Sequence, residues 1–188
     1  MIHLEHPNHV VAISAVHASH GYDPDDPCQP ILCIGTFSVE RVTDTEARFH
    51  ATHRTFGPDQ TRFHAAAHVA SLLNRHTVAV GCASMDDPGE LEPSFIDYCL
   101  PGTQRLEERQ RRIIECSERH LVNTARLSGL VISETWDTLY EEQSEAVDRA
   151  QAVWLTFLQF CTDPDERANL HAGWKAWAAL QRAAPIPF

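Results

Sequence analysis

Lysine is almost missing from this sequence: Lys175 is the single one in 188 residues. The chain also lacks a CxxC pair among its six cysteines, an internal repeat, a low-complexity segment and any long apolar run. Each gap closes off a class. Without about 20 consecutive apolar residues no helix is expected to cross a bilayer, and nothing near the start resembles a signal peptide. Cysteines 28, 33, 82, 99, 116 and 161 show no metal or redox spacing, and several lie inside apolar runs. The expectation is reduced, buried thiols in a cytoplasmic protein. Acidic side chains outnumber basic ones, giving a formal net charge of -11. Simple electrostatic capture of nucleic acid is therefore disfavoured, and any basic groove would have to be built from arginine.

What remains is enough apolar content for one domain with an appendage. His9 to His17 is rich in Val and Ile and reads as a strand. A turn at His20-Gly21-Tyr22-Asp23-Pro24 leads to a second strand over 30–39, and Ala47 to Thr55 alternates as a third. A helix is expected from Pro58, with Phe63, Ala67, Ala70 and Leu73 on its apolar face. Thr77 to Val80 is a short buried strand running through Gly81-Cys82-Ala83-Ser84 to Asp86. A short helix is expected over 90–100. The charged stretch 104–112 reads as a solvated face, and Ile113-Ile114 as a fifth strand. Helices follow over 118–128, stopped by Gly129, and over 142–161. Asp163-Pro164-Asp165-Glu166 carries the cap, the first-position Pro and the third-position acid of a last helix, lined by Leu170, Trp174, Trp177 and Ala178.

The element order is three strands, helix, strand, helix, strand, helices, and three stretches on it share a pattern. Val16-His17-Ala18-Ser19-His20-Gly21-Tyr22-Asp23-Pro24 ends the first strand. Val80-Gly81-Cys82-Ala83-Ser84-Met85-Asp86 ends the fourth. Gln143-Ser144-Glu145-Ala146-Val147-Asp148 opens a helix. In these places, over about residues 9 to 161, the chain resembles the DEDD-type 3′–5′ exonucleases, in the branch containing the bacterial polymerase III proofreading subunit. The resemblance implies an α/β, ribonuclease-H-like fold: a five-stranded mixed sheet with helices on both faces. It divides the chain into an exonuclease-like domain, 1–161, and a C-terminal helix and tail, 162–188, packed on it or used for association.

The departures from the family pattern decide the expected chemistry. The family ends its first strand with Asp-x-Glu and opens the third motif with a His. Here Val16 and Ala18 offer no side-chain oxygen, and Gln143 stands in place of the base. An amide does not accept a proton near neutral pH. Two carboxylates remain, Asp86 and Asp148, expected to meet at the end of the first strand and able to hold a metal weakly if at all. Asp86 also reads as a helix N-cap before Pro88. The expectation is a catalytically inactive, exonuclease-like domain that binds nucleic acid or scaffolds a protein complex, with no cofactor and no membrane contact. The alternative is an active nuclease with a rewired site, using Mg²⁺ or Mn²⁺, or His20 with Asp86 or Asp148. Three further candidates are weighed against bland readings. His3, His6 and His9 form a weak metal pattern in a terminal segment. His64 and His68 stand four apart on a helix, as in Zn²⁺ sites, with no third ligand evident. Cys82 reads as a nucleophile or as a small buried thiol.

Overall fold

The computed structural model describes residues 6–17, 31–43, 45–57, 62–73, 77–84, 111–116, 118–130, 132, 142–161 and 163–183. Five strands and four helices lie within them: β1 (His9–His17), β2 (Ile31–Arg41), β3 (Ala47–Thr55), α1 (Arg62–Leu72), β4 (Val78–Ser84), β5 (Arg111–Cys116), α2 (Glu118–Leu127), α3 (Glu142–Phe160) and α4 (Pro164–Ala183). The chain is α/β with a mixed sheet in the order β3-β2-β1-β4-β5. β1, β2 and β3 form an antiparallel meander. β4 then pairs parallel with β1, and β5 parallel with β4.

Side-chain alternation along β1 divides the core in two. Val10 and Ala12 face one side with Phe37, Val39, Val78 and Val80, under α2, α3 and α4. Val11 and Ile13 face the other with Ile34 and Ala79, under Ala65 and Val69 of α1. Both faces are covered, so β1 and β4 read as nearly unbroken apolar runs. The larger core centres on Trp154. Its ring lies 5.4 Å from that of Phe37, which in turn lies 5.4 Å from Trp177.

Most expected elements are present, with three corrections. The fifth strand, expected at Ile113-Ile114, begins earlier, at Arg111. Among the described side chains of α1 the buried ones are Ala65 and Val69, whereas Ala67 is exposed. That helix is apolar on several sides, so alanine spacing could not set its phase. The branched Val69, one turn from Ala65, does. Third, the last helix opens as expected, with Asp163 Oδ1 accepting from the backbone N–H of Asp165 at 2.9 Å and of Glu166 at 3.1 Å. Glu166, however, reaches across to the Arg41 guanidinium of β2 and not back to the cap. The helix expected over 90–100 lies outside the described residues.

Candidate functional site

The site expected from the sequence belongs at the C-terminal ends of β1 and β4. In the parallel register Val10 pairs with Val78 and Ala12 with Val80. Continued four residues on, that register brings Ser84 level with Val16. Val16 itself pairs with Cys33 of β2, next to a register shift at His17. Ala18, His20 and Asp86 lie outside the described residues, as do His3 and the acids of the first turn.

Helix α3 enters at this end. Gly35, paired with Ser14, lies so close under α3 that a Cβ there would sit 2.0 Å from the Ala146 carbonyl oxygen. Glycine is required by this backbone-to-backbone approach. Cys33 and Ala146 pack together beside it, fully buried. The first turns of α3 are thereby held over the start of β2, next to the end of β1. Gln143 belongs to the helical backbone of that first turn.

From Ala146 the sheet-facing stripe continues through Ala150, Val153 and Phe157, all buried. Asp148 is off this stripe. Two residues past Ala146 is about 200° round the helix, on the side away from the sheet. There its Oδ1 accepts from Gln151 Nε2 at 3.2 Å, and Gln151 Oε1 accepts from Trp174 Nε1 at 3.1 Å. Asp148 thus begins a relay into α4. Its neighbour Arg149 is buried, only 7% exposed. Trp154 marks the flank of α3 that meets Phe37 and Phe49 of β2 and β3.

The histidine candidates are engaged elsewhere. His6 is buried, its Nδ1–H donating to the Pro7 carbonyl at 2.8 Å while its Nε2 accepts from Trp154 Nε1 at 3.1 Å. Both ring nitrogens are used, and burial holds its pKa down at about 4. His9 Nδ1 bonds Thr77 Oγ1 at 3.0 Å. His68 is half-buried against Phe56, with Arg54 Nη1 3.5 Å from its Nδ1. Burial first and then that cation lower its pKa. His64 is exposed on the helix surface. Cys82 lies in β4, its backbone paired with Ile114. Among the described residues no three His, Cys, Asp or Glu side chains are grouped to hold a metal ion.

Sequence reasoning missed Gly35, Arg149 and His6 as organising residues. A glycine between β-branched and aromatic neighbours in Ile34-Gly35-Thr36-Phe37 was the signal for a close backbone approach. An arginine at the third position after Ala146, in phase with the apolar stripe, was the signal for burial. Compared with known proteins, the chain matches no family model and no curated protein. Among the described residues no helix is long and apolar enough to cross a membrane.

Proposed function

We propose that this chain is a degenerate, non-cleaving relative of the DEDD-type exonucleases, built on a ribonuclease-H-like sheet, that serves as a binding or scaffolding subunit. The observation that carries this reading is the sheet. Three antiparallel strands followed by two parallel ones, with β1 between β2 and β4, agree with that fold in order and in direction. A helix crosses it at the end of β1, where the family places its third motif.

Loss of cleavage follows from the side chains. Two-metal phosphodiester hydrolysis needs several carboxylates converging on the metals and a base for the attacking water. Val16 and Ala18 supply no oxygen, Gln143 supplies no base, and Asp148 is bonded to Gln151. A protein partner is favoured over free nucleic acid by the net charge of -11. Absence of thiol pairing motifs accords with a cytoplasmic setting.

The test is an exonuclease assay on 3′-labelled single- and double-stranded DNA and RNA with Mg²⁺ or Mn²⁺. No shortening is expected. Shortening that disappears in an Asp86→Ala, Asp148→Ala double variant would show a live site and sink the proposal. Cleavage that survives that change would be a contaminant's.

A further inference from the structure

Strand β3 is an edge of the sheet: among the described residues it pairs with β2 alone. That pairing runs unbroken from Ala47 to Thr55, in contrast to the register shift between Val16 and His17 on β1. No Pro or Gly interrupts it. Alternate backbone N–H and C=O groups therefore point outward in regular order along about 30 Å of strand. The two faces of the strand differ in chemistry. Arg48, His50, Thr52 and Arg54 lie on the α1 side, where Thr52 bonds Thr36 at 2.8 Å and Arg54 comes within 3.5 Å of His68. The two arginines and the histidine are exposed. Arg48 meets Glu40 only loosely, at 3.9 Å, with both side chains exposed. On the other side Ala47, Phe49 and Ala51 are partly buried against the larger core, and Trp177 stands 6.2 Å from Phe49 between ring centres. β3 contains no acid, in a chain of net charge -11.

We infer that β3 is a docking edge for a protein partner, which adds to it an extended segment alternating acidic and apolar residues. This names the partner class for the scaffolding role proposed above and rests on that role. Main-chain hydrogen bonds to a sheet edge supply affinity in this mode of recognition, and alternate side chains supply specificity. Successive side chains of the added strand fall on opposite faces. One set meets the Arg48, His50 and Arg54 face and is matched by carboxylates. The other set meets the Ala47, Phe49 and Ala51 face and is matched by apolar groups. Charge decides between occupants. A second copy paired antiparallel about Ala51 would set Arg48 against Arg54, and like charges directly opposite repel. Charged side chains often guard an edge against any pairing. Here the charge is of one sign on a regular backbone, which excludes copies of the same strand and admits an acidic one.

Fluorescence anisotropy of two labelled peptides with the full chain tests this, each peptide matching the nine residues of β3. The peptide alternating Glu and Val should bind saturably, and more weakly as salt rises. The peptide alternating Lys and Val should bind at least about tenfold more weakly, although the net charge of -11 would favour the reverse order. The Arg48→Glu, His50→Glu double variant changes two exposed side chains, so its melting temperature should stay near that of wild type. Its preference should invert, taking the Lys peptide over the Glu peptide. If the double variant does not fold, the comparison of the two peptides on wild type carries the test. Backbone amides within residues 47–55 should gain protection from hydrogen exchange when the Glu peptide binds, which a loose ionic contact would not produce. The inference is overturned by no saturable binding of the Glu peptide up to about 1 mM, by equal binding of both peptides, by an unchanged preference in the folded double variant, or by protection confined to another part of the chain. A stable dimer that buries β3 would also overturn it, since the occupant would then be a second copy. Failure of the functional reading is seen separately, as oligonucleotide shortening abolished by the Asp86→Ala, Asp148→Ala double variant.

Discussion

His6 shows how much one side chain near the chain start can do. Its ring sits against Phe157 and Trp154, on a helix about 150 residues away in sequence, with centroids 5.8 and 6.2 Å apart. The neutral Nδ1–H tautomer is the one that satisfies both neighbours, because Nε2 must accept from the indole N–H. Protonation would set an N–H against an N–H. Burial, and then the Arg41 cation, hold the folded pKa at about 4, below the ordinary 6.5. The unfolded chain binds the proton first, so the contribution is complete above pH 6.5 and is lost as pH falls toward 4. Over that window about 3 kcal/mol of stability should disappear. The carboxylates add their own slope, so the measurement is a difference. Denaturant unfolding of wild type and His6→Gln at several pH values should give curves that converge toward pH 4, and parallel curves would count against the assignment. Cys161 is the converse case, an acid kept neutral. Burial, then Glu166, push its thiol up to about 12. Iodoacetamide should label it after unfolding and leave it untouched in the native protein.

At the scale of elements, the contact of α3 with β2 and the burial of α4 settle the architecture. Gly35→Ala would drive a methyl into the Ala146 carbonyl. Backbone on both sides leaves little room to give. A loss of about 3 kcal/mol is expected, the upper end for overpacking, read as a lower denaturant midpoint. Trp174 is 1% exposed and bonded to Gln151. Trp174→Ala should cost about 3–5 kcal/mol, and unchanged stability would return α4 to the role of a partner anchor. The limits of these elements were legible where the signal is local. A Val- and Ile-rich run gave β1, and alternation gave β3, to the residue, and Asp163-Pro164 gave the start of α4. Other features were hidden because they are tertiary. Nothing local tells Arg111-Arg112 that it will extend β5. Nor does local sequence tell which of Asp148 and Arg149 will be the more deeply buried. That phase is set by Gly35, more than 100 residues earlier. A carboxylate chosen by motif position therefore proved to be one residue away from the ionisable group that the packing turns inward.

Considered whole, the molecule hangs on β1, the one strand among the described residues hydrogen-bonded to both an antiparallel and a parallel neighbour. The antiparallel side is complete by Thr55. The parallel side must wait for β4 at Val78 and, beyond it, β5 at Arg111. During synthesis the meander emerges first, with the free edge of β1 carrying Val10, Val11 and Ala12 and nothing to cap it. An uncovered apolar strand edge is a template for pairing with another chain. A fragment ending at Gly57 should therefore be made as an aggregate, and one ending after Ser84 should be markedly more soluble. Equal solubility of the two fragments would mean that the edge is protected some other way. For a nascent chain, the interval between Thr55 and Val78 leaving the ribosome is its most exposed moment, and the rate of translation across α1 sets how long it lasts.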